Sequence, residues 1–372
     1  MSSGTRKQWK KWIAGVLTLM MSASFLLSGY GIPRAEALGQ KGIQTAVKKV
    51  TAAGRTFTVK TVSIPKGTPA SIGLAEGQVG KTQDLSGIVQ KYHAEAAING
   101  AFFEAYNGAP DPYGMLISGG KVIHIGRYGT TVGFKRDGTV VMDVLSVNIT
   151  GRVTGKDGRS LGWYANFMNR TPAENANTSM MYTPERGATV GFKGGIAVTV
   201  RDGIVVKNGI NTNASIPKDG YVLVFTGTMK STAQRFAEGA AVTLTTAYNN
   251  QKGEAPDWQD VVTGVGAGPR LITDGKISLN PEAEGFKDPK ILSASGARSG
   301  IAIMPDGSVL LATVPAATMK QWAAIMDKLG AKQAMNLDGG ASSGMYAGGK
   351  MQTAPGRKLS NTLIFGTNLQ TF

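Results

Sequence analysis

A mixed, strand-rich α/β fold is what this sequence predicts: a central mixed sheet, a few flanking helices and many hairpins. Three observations predict it. Glycine is abundant, at 51 of 372 residues, while aromatics are modest at 7%, a balance that favours short strands and turns over long helices. Asp-Gly pairs recur just before short apolar runs, at Asp137-Gly138, Asp202-Gly203, Asp274-Gly275 and Asp306-Gly307. Each reads as a hairpin turn, because glycine tolerates the positive φ such turns demand. Helical periodicity, finally, is confined to a few stretches.

Taken in order, residues 1–37 read as a secretory signal peptide. Arg6, Lys7, Lys10 and Lys11 form a basic start, Trp12 to Leu27 an apolar run, and Ala35-Glu36-Ala37 an A-x-A cleavage pattern. The run is shorter than the ~20 residues a membrane span needs, so no stable span is expected after cleavage; an uncleaved anchor is the plain alternative. Residues 38–89 read as a β-rich extension of the same domain that continues over 90–372, in which "RTFTVKTVSI" alternates and "PKGTP" breaks it. "DLSGIVQKYHAEA" reads as a helix with Asp84 as N-cap and Leu85, Ile88, Val89 and Tyr92 on one face; a strand "AAI" follows and stops at Asn99-Gly100. "MKSTAQRFAEG" reads as a short helix. "AATMKQWAAIMDKLG" is the clearest one, with Met319, Trp322, Ile325, Met326 and Leu329 as its stripe and Gly330 as its stop.

Charge and cysteine content narrow the setting. The chain carries no cysteine, so no disulfide supports it and its core must suffice. Formal charge is +16; the signal holds five bases and one acid, leaving the mature chain near +12. An exported basic protein is drawn to anionic polymers, of which cell-wall phosphate polymers are a natural case; simple solubility charge is the alternative. Nucleic acid is not an expected partner, because no Lys/Arg run alternates with aromatics as stacking platforms require.

The informative stretch is "AMNLDGGASSGMY", where an apolar strand ends on Asp338 and opens into small residues. It offers two chemistries. Gly340-Ala341-Ser342-Ser343-Gly344 fits G-x-S-x-G, but the hydrolase order needs a histidine after the serine, and His93 and His124 both precede it. Ser63/Lys66 and Ser215/Lys218 match S-x-x-K with proline inside the motif, which argues for loops. "GVGAGP" runs into a hairpin rather than the helix of a dinucleotide site. The other chemistry centres on the Asp338 carboxylate. "AAINGAFF" near 96–103 echoes this segment: each has a helix, then a strand, then a polar residue and glycine. Strand ends of that kind commonly carry ligands, which would set Asn99 and Asp338 at one sheet edge.

"NLDGGASS" resembles the N-L-D-G-G-G-S-S signature of phosphodiester glycosidases, enzymes that release a sugar from a sugar-phosphate diester. "AINGAFF", "MYTPERG", "GVGAGPRLITDG", "ARSGIAIMPDG" and "KLSNTLIFG" are similar to further family segments and follow in the family's order, over roughly residues 90 to 366. Ala341 stands in place of a third glycine, Ser299 in place of the usual threonine, and "PAATMKQW" is shorter than the family loop.

The resemblance implies cleavage at an anomeric carbon through an oxocarbenium-like state, with a phosphate as leaving group. Asp338 would be the base or nucleophile; as plain alternative it closes a turn. Arg298 would clamp the phosphate, because a planar guanidinium grips two oxygens at once; a structural ion pair is the alternative. Glu104, with Asp111 next, is the candidate second carboxylate, unless both are solvated loop residues. Gly339, Gly340, Ser342 and Ser343 would offer amides and hydroxyls to the substrate, unless they form a tight turn that only closes the strand. Asn99 and Asn361 would bind sugar hydroxyls or hold Asp338, unless each simply caps a strand, and Gly100 and Gly268 complete the substrate-binding set. No metal-ligand cluster is visible and no cofactor is expected, although a divalent ion stays open. The reading is thus an exported hydrolase acting on a carbohydrate-phosphate substrate at the wall or in exopolysaccharide. Its rivals are a non-catalytic basic module that binds wall polymers and, behind it, a serine esterase.

Overall fold

The computed structural model describes residues 42–126 and 128–371. The expected signal peptide lies outside the described residues. The four Asp-Gly pairs do turn hairpins. Asp202 and Asp274 sit at φ 47° and 49°, each followed by a glycine of positive φ. Thus the hairpin Ile196–Arg201 to Ile204–Ile210 and the hairpin Arg270–Thr273 to Lys276–Ile277 close as such pairs predict.

The strands divide among four sheets rather than one. A seven-stranded sheet runs Gln44–Ala52, Arg55–Ile64, Val309–Ala317, Gly296–Ile303, Gln333–Asn336, Arg270–Thr273, Lys276–Ile277. A five-stranded sheet runs Lys350–Thr353, Met345–Ala347, Ala96–Asn99, Asn361–Phe365, Ala70–Leu74. A second five-stranded sheet is built from segments between 116 and 266, and a ten-stranded sheet from segments between 146 and 254. Fold class is as expected, mostly β with few helices. Instead of one central sheet there are several, and among the described residues the pairing is antiparallel except for the short parallel contact of Phe167–Met168 with Ser179–Tyr182. Hairpins account for part of this, since a turn of two residues can join only antiparallel neighbours; other pairs, such as Arg55–Ile64 with Val309–Ala317, join distant segments.

The stretch 38–89 is woven in. Its hairpin pairs through Arg55–Ile64 with Val309–Ala317, and Ala70–Leu74 pairs with Asn361–Phe365. The helix Leu85–Tyr92 buries Leu85, Ile88, Val89 and Tyr92, as its stripe predicts. The helix Met319–Lys328 starts later than the periodicity suggested. Ala316 and Ala317 finish a strand, and Thr318 makes a capping box with Gln321. Its stripe lies on the seven-stranded sheet: a Cβ on Gly300 would stand 3.0 Å from the Trp322 ring and 2.6 Å from Met326 Cε, so a glycine is what permits the contact. Burying Trp322, Ile325 and Met326, all at 0% exposure, stabilises the fold by about 1.5–3 kcal/mol per side chain. The segment 229–239 is a 3-10 helix over Gly227–Arg235 rather than an α-helix.

The two echoing strands end in different sheets, yet their ends meet. Asn99 and Gly100 leave the five-stranded sheet where Leu337 and Asp338 leave the seven-stranded one. Asp338 N–H donates to Gly100 O at 3.0 Å, and Leu337 N–H to Ser299 O at 2.9 Å. Gly100 has no room for a side chain. A Cβ there would lie 2.2 Å from Asn361 Oδ1, the atom that accepts the Ala101 N–H at 2.8 Å. Gly100→Ala should therefore lower stability by about 1–3 kcal/mol through overpacking, read as a drop in thermal midpoint with the far-UV spectrum of the folded state retained. An unchanged midpoint would contradict this packing.

Candidate active site

Asn99 is the residue from which the site is built. It is 1% exposed, and both ends of its amide are used. Nδ2 donates to the Asp338 carbonyl at 2.6 Å and Oδ1 accepts the Gly344 N–H at 3.0 Å. Asn361 does the same for the neighbouring strand exit, through Ala101. Both amides are engaged by backbone at strand exits, Asn99 with Asp338 and Gly344 and Asn361 with Ala101, which is also what a plain strand cap would do.

Between those anchors the chain makes a tight turn. Gly339 N–H donates to Asp338 Oδ1 at 2.9 Å, Ser342 N–H to Gly339 O at 3.2 Å, and Ser343 N–H to Gly340 O at 3.1 Å. Gly340 is exposed with φ +60°, and Gly339 lies so close to the next strand that a Cβ would meet Ala297 O at 2.8 Å. Ser342, 2% exposed, hydrogen-bonds the Asp338 carboxylate. Ser343 Oγ is buried without a partner. Burial pushes the Asp338 carboxyl up from 3.8 to about 6, against the pull of the Ser342 hydroxyl, the Gly339 N–H and the Arg357 charge. A half-buried carboxylate with that affinity for protons can act as base or nucleophile near neutral pH.

The other carboxylates are differently placed. Glu104 Oε1 accepts the N–H groups of Tyr106 at 2.9 Å and Asn107 at 3.0 Å, and Oε2 accepts the Tyr113 hydroxyl at 2.7 Å. Those donors, Asn107 first, hold its carboxyl down at about 2. Glu104 is therefore ionised and engaged, the organiser of its own loop. As the candidate second carboxylate, Glu104 is thus placed on the cleft wall with its oxygens engaged by three donors. Asp111, 5% exposed, pairs with Arg186 at 2.5 Å and accepts the Thr171 N–H at 2.7 Å, so it is a buried structural ion pair rather than a solvated loop residue.

Arg298 lies next to the turn, but in the wall. It is 4% exposed. Nε donates to Ala317 O at 2.9 Å, and Nη2 to Lys290 O at 2.9 Å and Ala294 O at 2.6 Å. Nη1 lies 3.9 Å from where a Cβ on Gly339 would stand. The expected two-pronged grip on phosphate is thus largely replaced by bonds to carbonyls, which fix the short helix Pro289–Leu292 against the strand Val309–Ala317. Gly268 is also interior: its N–H donates to Asn336 O and its carbonyl accepts Asn336 Nδ2, both at 2.9 Å, so it shapes the floor beneath the turn. The serine reading finds no base. His124 is fully buried and hydrogen-bonded to Gly114 O, with burial lowering its pKa to about 4, and His93 is the exposed left-handed cap of the helix Leu85–Tyr92.

Beside the turn opens a cleft of about 520 Å³, walled by Phe103, Glu104, Tyr106, Ala341, Arg357 and Lys358. Sequence reasoning did not single out Tyr106, Arg357 or Lys290, which reaches the same ring. Their signal was faint: an aromatic before Asn107-Gly108, and the pair Arg357-Lys358 just ahead of "LSNTLIFG". Neither this cleft nor a hollow of about 540 Å³ lined by Lys66, Arg136 and Phe365 counts Asp338 or Arg298 among its lining residues; the cleft meets the Asp338 turn through Ala341. Among the described residues, no three His, Cys, Asp or Glu side chains gather as a metal-binding group.

Comparison with known protein families covers the later motif segments, from "GVGAGPRLITDG" to "KLSNTLIFG", and not "AINGAFF" or "MYTPERG". Residues 193–366 match the model of the phosphodiester glycosidase family. A hypothetical protein from Synechocystis shares the fold with a TM-score of 0.75 at 24% identity, over 87% of this chain and 62% of its own. This chain thus spans less than two thirds of that protein. A Burkholderia pseudomallei protein described as exported has a TM-score of 0.68 at 23% identity, over 84% of this chain and 75% of its own. The catalytic domain of zebrafish N-acetylglucosamine-1-phosphodiester alpha-N-acetylglucosaminidase overlaps more loosely, with a TM-score of 0.47 and 13% identity over 87% and 82% of the two chains. No curated protein matches.

The proton affinities are directly measurable. Carboxyl carbon NMR should place Asp338 near 6 and Glu104 near 2. For Asp338 the folded value lies above the unfolded one. Between about pH 4 and 6 the native state therefore holds a proton that the unfolded chain releases, and this group weakens the fold as pH rises through that window. Asp338→Asn should consequently raise stability at pH 8 by about 1–3 kcal/mol and leave it little changed at pH 4. A destabilised variant at pH 8 would contradict the burial argument.

Proposed function

We propose that this protein is an exported hydrolase that cleaves the bond between an anomeric carbon and a phosphate oxygen in a sugar 1-phosphodiester. The observation that carries the reading is the Asp338 carboxyl, raised to about 6 by burial in a turn that Asn99, Gly100 and Ser342 hold rigid. The motif match over residues 193–366 supports the reaction class.

In this reading Asp338 serves the anomeric carbon, either attacking it or drawing the proton from an attacking water. The new bond forms at carbon, the carbon–oxygen bond to phosphorus breaks, and its electron pair leaves with the phosphate. An alkoxide leaving group would need a general acid. A phosphate monoester is a weak base and departs without one, which suits a site whose other carboxylates are held at low proton affinity or in a buried ion pair. What departure requires is positive charge and N–H groups. Arg298 acts here mainly as a positioning residue, through the carbonyls it holds, with Nη1 directed at the Gly339 edge.

The substrate we favour is an anionic sugar-phosphate polymer at the cell surface. The net positive charge of the mature chain, near +12, supports attraction to such a polymer.

The test is release of free sugar from a panel of sugar 1-phosphodiesters by the mature chain. Asp338→Asn should lower kcat at least a thousandfold, and kcat/KM of the native protein should fall about tenfold per pH unit below pH 6. Turnover in heavy-oxygen water should put the label on the sugar, not the phosphate. Undiminished turnover by Asp338→Asn would remove Asp338 from the reaction. Polymer binding with no turnover of any diester would favour the non-catalytic wall-binding reading.

A further inference from the structure

Tyr106 stands 69% exposed on a loop between Glu104 and Asn107-Gly108. An exposed aromatic on such a loop is ordinarily free to move, but here the Glu104 carboxylate accepts both the Tyr106 and Asn107 N–H groups and fixes the loop. Two cations come to its ring. Arg357 places its guanidinium carbon 4.9 Å from the ring centroid and donates from Nη2 to the phenolic oxygen at 2.9 Å. Lys290 brings Nζ to 5.6 Å.

Each cation is anchored from behind. The Lys290 carbonyl accepts from Arg298 Nη2 at 2.9 Å. The chain before Arg357 is tied to the Asp338 turn by the Gly356 N–H, which donates to Ala341 O at 2.7 Å. Neither cation belongs to the ion pairs formed among the described residues. Two like charges drawn to one ring repel each other; the negative face of the aromatic offsets part of that cost, and an anion between them would remove it. Lys358 adds a third positive group to the same cleft, against the single negative charge of Glu104, whose oxygens face three neutral donors.

We propose that Arg357 and Lys290, held about the Tyr106 ring, form a phosphate subsite beside Asp338 that prefers a monoester dianion to a diester monoanion. The subsite stands on this geometry alone; that its occupant is the leaving group rests on the reaction read above. A phosphodiester carries one negative charge, and the departing monoester acquires a second as the bond breaks. A pair of fixed cations therefore favours the transition state over the bound substrate, which is how charge placement accelerates a reaction.

The test needs no turnover. Binding of inorganic phosphate and of dimethyl phosphate to the mature chain is measured by calorimetry at pH 8 and low salt. Inorganic phosphate should bind at least about fivefold more tightly than dimethyl phosphate. Arg357→Ala and Lys290→Ala should each weaken phosphate about five- to tenfold, the range of a charge-assisted contact at a partly open site. Tyr106→Phe, which keeps the ring and loses the oxygen, should weaken it less than Tyr106→Ala. Asp338→Asn, which removes a nearby negative charge, should bind phosphate as tightly as the native protein or more so. Thermal midpoints within a few degrees of native confirm that these surface variants are folded.

Phosphate affinity that ignores both Arg357→Ala and Lys290→Ala overturns the subsite, as does equal affinity for the two anions. The outcomes separate from those of the reaction. A subsite that fails while Asp338→Asn abolishes sugar release leaves the hydrolase reading in place. Phosphate bound as described with no diester turned over leaves the subsite and removes the reaction.

Discussion

The buried amide of Asn99 is the contact on which the site depends. It joins two sheets at the point where a strand of each runs out, giving a hydrogen to Asp338 O and accepting one from Gly344 N–H. An unpaired amide at 1% exposure would cost several kcal/mol, so the turn between residues 338 and 344 closes around Asn99 or the interior is left with broken bonds. Gly100 and Asn361 repeat the arrangement one step along. What results is a carboxylate whose position is set by backbone from both sheets. Such rigidity is what a reacting group requires, since a small misplacement costs far more in rate than in binding.

The same local physics separates the acids. Asp338 meets two hydrogen-bond donors, but burial outweighs them and its proton affinity rises. Glu104 meets three donors at an open edge and its proton affinity falls. Two carboxylates near one cleft are thus driven in opposite directions by solvent access and donor count. One takes up a proton near neutrality, and the other becomes part of the scaffold that presents Tyr106.

Arg298 shows how a motif residue can act at one remove. Its guanidinium is committed to three carbonyls on two elements, yet through Lys290 O and its approach to Gly339 it links the basic face of the cleft to the turn bearing Asp338. The buried Asp111–Arg186 pair does similar work farther along the same loop, because the Glu104 N–H donates to Asp111 O at 3.0 Å.

Local rules made much of this legible from the chain alone. Asp-Gly hairpins, the helix stripes at 85–92 and 319–328 and the glycines after strand ends all follow from periodicity, φ preference and short motifs, which act over a few residues. The meeting of Asn99 with Asp338 was foreseen from the echo between two helix–strand units, although they occupy different sheets. What the chain could not declare is how far-apart polar groups divide their bonds. Glu104 became a loop organiser because Tyr113 and two N–H groups reached it first, and Arg298 turned to the wall because carbonyls of residues 290, 294 and 317 converge there. Arg357, Lys290 and Tyr106 carried no shared pattern, being up to 251 positions apart. Proton affinity and partner choice depend on burial and on neighbours brought from elsewhere in the chain, and only the packed tertiary structure sets those.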